Sequence, residues 1–439
     1  MVKTFTGTFR SLAVRNFRLF AAGQVVSVAG TWMMVVAQDW LVLALTGDSG
    51  TALGTVTALQ FAPLLLLTLY GGRLADRYDK RRLLIIANVV SGVLALLLSL
   101  LVLAGEVRLW HIFLFAFGLG VVNAVEVPTR MSFVSELVGG ELLPNASALS
   151  AAYFNTARVV GPALAGLLIT GFGTGQVMLL NAASYLATVV ALRMMRPGEL
   201  HRGVRKDSRP RVVDGLRYVR SRPDLMLPMA LIAVIGLFGM NFQLTLPLIA
   251  KTVFHSDSTS FGLLTTAFAA GSLLAAFAAT ARRGRPSSGT VIGSALAFGL
   301  LETLTGWAPT YTVAAVLLAA TGFATIYFAQ AANHRIQLGS DPQYRGRVLA
   351  LYTLIFQGST PIGALLVGRL TEQLGARSGL YAGGLVSLAA AAVALAVERA
   401  RKRAVPLPAG TRPPTPGRQA APPTGSASHE EVRTSDERQ

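Results

Sequence analysis

Twelve stretches of mostly apolar sequence constrain this chain more than any other feature. They run at residues 17–45, 53–71, 83–103, 110–127, 146–170, 177–192, 225–249, 261–281, 291–307, 311–332, 348–367 and 380–397, the sixth and ninth being the shortest. A helix that crosses the hydrocarbon core of a bilayer needs about 20 such residues. In lipid every backbone N–H and C=O must find a partner inside the protein, so only helices and closed barrels can span. These runs are long and show no alternation, which selects helices. The composition agrees: 52% of residues are hydrophobic and 14% charged, where soluble domains carry about a quarter charged. The expected fold class is an all-α membrane protein with twelve transmembrane helices.

The net charge of +18 would by itself suit a nucleic-acid partner. The placement of the charges excludes one. With the N-terminus set inside, Arg108, Lys251, Arg369 and Arg377 fall outside and Arg158 lies within a span. The other thirty-four of the 39 Lys and Arg then lie on the inner side. Such asymmetry orients membrane proteins with basic loops in the cytoplasm. It predicts cytoplasmic termini, an even number of spans and a bilayer as the surroundings. Residues 1–15 read as a cytoplasmic segment on the membrane surface rather than a signal peptide, because the run from Phe17 is too long and lacks a small-residue cleavage pattern.

The chemistry is as restricted as the topology. There is no cysteine, and the five histidines are scattered, so no metal site or cofactor is expected. No phosphate-binding G-x-x-x-x-G-K-[ST] loop occurs, and no nucleophile–base arrangement points to an enzyme.

A basic connection at 193–224 separates the spans six and six. From 193 to 222 it holds ten Lys and Arg, and 212–218 within it reads as an interfacial helix. The expected organisation is a six-helix half at 1–192, a cytoplasmic loop at 193–224, a second half at 225–400 and a disordered Pro-rich tail at 401–439. The halves resemble each other. Residues 145–168 align without gaps with 347–370, pairing Leu149 with Leu351, Asn155 with Gln357, Gly161 with Gly363 and Gly166 with Gly368. Residues 54–63 align with 262–271. The matches join the fifth span to the eleventh and the second to the eighth. Duplicated six-helix halves are a transporter architecture, with substrate bound between them.

Between the second and third spans lies GGRLADRYDKRRLL, residues 71–84. The run Gly72, Leu74, Asp76, Arg77, Lys80 and Arg81 closely resembles the signature loop of the major facilitator superfamily, and the resemblance extends to about residue 400. It implies a major facilitator fold and an inner gate, with Gly72 at a close helix contact. In that family the acid corresponding to Asp76 faces the start of the eleventh helix, whose N-terminus carries about half a positive charge. It latches the halves on the inner side. Lys80 and Arg81 also serve as topology determinants. Asp79 stands where the family commonly has glycine, which predicts a harder turn. The second-half counterpart, 279–289, keeps Arg282, Arg283 and Arg285 without the acid. Residues 15–47 and 127–149 resemble the drug- and siderophore-exporting branch, and Gly161, Pro162 and Gly166 partly match its fifth-helix antiporter motif. The resemblance therefore implies proton-driven export of drugs, antibiotics or siderophores from a bacterial inner membrane, by a monomer. A proton-coupled importer of a nutrient or anion is the alternative, because one fold runs in either direction.

Charges inside a membrane are costly and mark function by default. Asp39, in the first span, is a proton-coupling candidate; the alternative is a carboxylate beside Trp40 that faces water. Arg158, one turn from Asn155, must pair or face a cavity. Glu126 ends the fourth span near Arg130. Gln24, Asn155, Asn241, Gln243 and Gln357 are candidates for lining a small-molecule path, and Trp32, Trp40, Phe61, Phe154, Phe242 and Phe356 for an apolar pocket.

Overall fold

Every regular element among the described residues is helical. The computed structural model describes residues 9–201, 212–281 and 284–404. The expected surface segment before Phe9, the middle of the 193–224 connection, Arg282 and Arg283, and the tail after 404 lie outside the described residues. Residues 1–397 form one unit and residues 398–439 another.

The membrane helices are α1 (Arg15–Thr46), α2 (Gly50–Arg77), α3 (Lys80–Leu103), α4 and α5 (109–138 and 140–172 within Leu109–Phe172) and α6 (Thr174–Met194). A nine-residue helix, α7 (Val212–Arg220), follows. The second set is α8 (Pro223–Phe238) with α9 (Phe242–Leu248), then α10 (Ser258–Thr280), α11 (Ser288–Gly306), α12 (Tyr311–Gly339), α13 (Arg345–Leu374) and α14 (Ser378–Ala404). Eleven of these stretches are long and apolar enough to cross a membrane, counting Leu109–Phe172 and Pro223–Val253 once each. Dividing the first at Gly139 gives the expected twelve.

Side chains start the helices where the sequence supplies short polar residues. The Oγ of Ser49 accepts from Ala52 N, Asp79 Oδ1 from Arg82 N, Ser287 Oγ from Thr290 N and Asp257 Oδ1 from Ser260 N. Each satisfies one of the N–H groups that a helix start leaves open. The Ser260 N–H also holds the Asp257 carboxyl below the usual carboxylate range.

The structure corrects three sequence expectations. Residues 128–145, expected to connect the fourth and fifth spans, are helical apart from Gly139 (φ 71°), Pro128 and Pro144 included. Membrane helices tolerate proline where neighbours re-satisfy the backbone. The seventh span is not continuous. It breaks at Gly239–Met240, where Asn241 Nδ2 donates to Leu237 O at 2.9 Å and Phe238 O at 3.3 Å, and it ends in a π turn at Ile249–Val253. Asp79 needs no glycine: it sits at φ −64° as the N-cap of α3.

Large residues such as Leu66, Leu69 and Phe277 are exposed, while small residues fill the seams between helices. A Cβ on Gly71 would lie 1.9 Å from Ala124 O, and one on Gly271 would lie 1.8 Å from Ala319 O. These contacts press α2 onto α4 and α10 onto α12. Membrane helices associate through such close backbone approach.

Candidate functional site

The two six-helix sets meet along two matched seams. At the first, a Cβ on Gly54 of α2 would lie 2.3 Å from Ala364 O and 3.3 Å from Gly368 Cα of α13. At the second, a Cβ on Gly262 of α10 would lie 2.3 Å from Pro162 O and 3.2 Å from Gly166 Cα of α5. Gly54 and Gly262, like Gly166 and Gly368, occupy corresponding positions of the sequence repeat. The antiporter-like motif thus lies in a seam, and its Gly161 turns to α1, where an added Cβ would meet Trp32 Cβ at 2.7 Å.

Polar groups extend the seams to one end of the bundle. Glu372 Oε2 accepts from Ser49 Oγ at 2.8 Å and from Thr51 N at 3.1 Å, so an α13 carboxylate caps α2. At the repeat-related place, Thr170 Oγ1 lies 2.9 Å from Ser258 Oγ and 2.8 Å from Thr259 Oγ1. Lys251 Nζ forms an ion pair with Asp48 Oδ1 at 2.6 Å and lies 5.7 Å over the Trp40 ring. Trp40 in turn stacks on Phe261 of α10 at 6.1 Å. The sequence pattern had not brought forward Asp48, Lys251 or Glu372, because all three sit at helix ends where charge is common. The pair is 26% and 33% exposed, which limits such a contact to about 1 kcal/mol. Lys251→Gln is therefore expected to retain transport and to loosen this end by less than about tenfold. The measurement is thiol labelling of a single Cys placed at Thr51; a complete loss of transport would contradict it.

Asp39 lies just inside this end. It is 2% exposed and its Oδ2 has no hydrogen-bond partner among the described residues, which overturns the alternative of a water-facing carboxylate. Arg158 is half-buried on α5. Glu126 is held by Arg130 Nε at 2.9 Å. Gln24 is buried, Gln243 and Gln357 are half-buried, and Asn155 donates to Ala151 O. Asn241 is spent on the carbonyls at the α8 end. The aromatic candidates separate: Trp32 meets Phe154 edge-on at 6.1 Å, Phe356 stacks on Tyr352, and Phe242 packs in the core against Phe268 and Phe298.

At the opposite end the signature loop is divided. No heavy atom lies within 4 Å of a Cβ on Gly72, so close packing falls on Gly71. Asp76 is exposed, and Arg77 lies 5.8 Å over the Tyr78 ring. Lys80 Nζ pairs with Glu136 of α4 at 2.5 Å. Arg81 caps α6 through Leu192 O at 2.6 Å and Arg193 O at 3.0 Å. The start of α13 is covered by α7: a Cβ on Gly215 would lie 2.8 Å from Arg347 O, and Tyr218 stacks on Tyr344 at 4.4 Å. In the second-half loop, Arg285 finds its acid in Asp224, at 2.8 Å.

Two six-helix sets joined through repeat-related seams define a membrane transporter with the major facilitator fold. The chain belongs to the transmembrane secretion effector family of that superfamily, whose sequence profile matches residues 6–415. It is similar to the multidrug efflux pump Tap of Mycolicibacterium fortuitum, with 26% identity over 88% of this chain and 95% of the pump. It is also similar to the staphyloferrin A transporter of Staphylococcus aureus, with 26% identity over 59% of this chain and 65% of that protein. Among solved structures, a bacterial homologue of the human lysosomal transporter Spinster matches 90% of this chain and 99% of that one, with a TM-score of 0.70 at 14% identity. At that identity the likeness concerns the fold. The chain is a multi-pass transporter of small molecules and not an enzyme.

Proposed function

We propose that this transporter exports drugs, antibiotics or siderophores in exchange for protons, by alternating access across a bacterial inner membrane with both termini in the cytoplasm. The observation that carries this reading is Asp39. Its carboxyl is buried and its Oδ2 unpartnered among the described residues, and the adjacent Trp40 stacks on Phe261 across the seam that must part. A proton taken up there in one state and lost in the other couples the seam to the gradient. Residues 1–192 and 225–400 act as the moving halves, 193–224 as their tether and 401–439 as a cytoplasmic tail, within a monomer. Asp76 and Arg77 act at the inner gate while Lys80 and Arg81 hold its loop to the first half, and Gly161, Pro162 and Gly166 form the pivot. The named activities of Tap and the staphyloferrin A transporter support the substrate class. Arg158 has no acidic partner among the described residues and suits an anionic substrate, which also keeps import of a small anion as the second reading.

The test uses inverted vesicles that hold a pH-sensitive dye under an imposed proton gradient. Adding substrates from a panel of drugs and siderophores should dissipate the gradient, and Asp39→Asn should abolish the response. A response that survives Asp39→Asn moves the proton to another residue. Silence across the panel overturns the export reading.

A further inference from the structure

The break in the seventh span lies against a second buried carboxyl, Glu302. It is the one charged residue of α11, it is 1% exposed, and its Oε2 has no hydrogen-bond partner among the described residues. The space around it is closed by backbone. A Cβ on Gly239, at the end of α8, would lie 3.0 Å from Glu302 Oε2 and 2.8 Å from Ser387 Oγ of α14. A Cβ on Gly383 of α14 would lie 2.8 Å from Glu302 Oε1 and 2.6 Å from Phe238 O. The carboxyl group therefore sits in a slot with no room for a larger neighbour, beside the carbonyl that ends α8.

Among the described residues it forms no ion pair. The elements around it offer few charged side chains. Arg377, just before α14, is committed to the carbonyls of Gly306 and Ala308 at 2.8 and 2.9 Å. Tyr311, at the start of α12, donates its hydroxyl to Ser260 O at 3.0 Å, and Tyr381 of α14 packs at Gly306. Tyr327, His334 and Arg335 lie further along α12, Asp224 lies at the far end of α8, and α9 carries no charge. A buried carboxylate without a cation is disfavoured, whereas the neutral acid is tolerated and can donate its own hydrogen. The Phe238 carbonyl stands at the C-terminal, negative end of α8, which again opposes an anion and favours a donor.

We infer that Glu302 is a second proton-binding residue of the transport cycle, holding its proton while α8, α11 and α14 close on it and exchanging it when the α8–α9 joint opens. The inference rests on the proton-driven reading above. On opening, the proton passes to water admitted at the joint, and the same water solvates the carboxylate left behind. Broken membrane helices serve proton and cation sites in this way in other transporters.

The test is infrared spectroscopy of the purified full-length protein, titrated from acid to alkaline pH, on wild type, Asp39→Asn, Glu302→Gln and Glu302→Asp. A protonated-carboxyl C=O component should persist in Asp39→Asn, shift in heavy water, be lost in Glu302→Gln while the Asp39 component remains, and return displaced in Glu302→Asp. Glu302→Gln is nearly isosteric, so the protein should remain monodisperse, and in the vesicle assay it should move fewer protons per substrate than wild type. A band unchanged by Glu302→Gln, or an unchanged proton count, overturns the inference. A wild type that moves no protons with any substrate overturns the antiport reading and Glu302's part in the cycle. The band then still decides whether the slot binds a proton.

Discussion

Gly54→Val will hold this transporter open at the Asp48 end and reduce transport to background, and Gly262→Val will do the same. The first atom of either new side chain would fall 2.3 Å from a carbonyl oxygen of the facing helix. That oxygen belongs to backbone inside a helix and cannot rotate away. Overpacking costs about 1–3 kcal/mol, and backbone contact places these substitutions at the upper end. Since about 1.4 kcal/mol is tenfold, the closed seam should lose about two orders of magnitude in population. The chain has no cysteine, so a single Cys at Thr51 reports directly. Its labelling by an impermeant maleimide should rise in both variants, while the proteins still purify as folded monomers. Gly293→Ala is the control, because a Cβ there meets nothing within 4 Å. Wild-type transport in either seam variant would show that this contact does not close the bundle.

The paired seams show what the sequence contained. The repeat was legible because both copies kept glycine where two backbones touch, Gly54 with Gly262 and Gly166 with Gly368. Side chains beside those glycines were free to diverge, so Glu372 caps α2 in one seam while Thr170 performs the smaller task in the other. The spans were legible from length and apolarity. Their irregularities were not, because packing decides where a helix breaks. Pro128 and Pro144 stay helical. The seventh span instead parts at Gly239, where a single Asn241 amide takes two α8 carbonyls. Of the site, Asp39 stood out as a lone acid in an apolar run. Glu302 is likewise the lone acid of its run, but that run is shorter. The signature loop was legible as a motif but not as an arrangement, since its cations are divided between Glu136 and the end of α6.

That division yields the second large effect. Glu136→Gln should destabilise the protein by about 2–3 kcal/mol, because removing one member of a largely buried pair strands the other. Lys80 and Glu136 are only 18% and 14% exposed, and their charges approach to 2.5 Å between the start of α3 and α4. The same α4 turn is tied down by His201 N, which donates to Glu136 O at 2.8 Å, so the carboxylate has little freedom to find another partner. Lys80→Met should cost a similar amount, and the double variant Lys80→Met, Glu136→Met should lose much less than the sum, since it leaves no orphaned charge. Thermal unfolding of the three variants in one detergent gives the coupling. Additive losses would mean that Lys80 acts as a topology determinant alone. Strong coupling would mean that the signature loop is anchored to its own six-helix half by this pair. Asp76 and Arg77 would then be the members of the motif left to work between the halves.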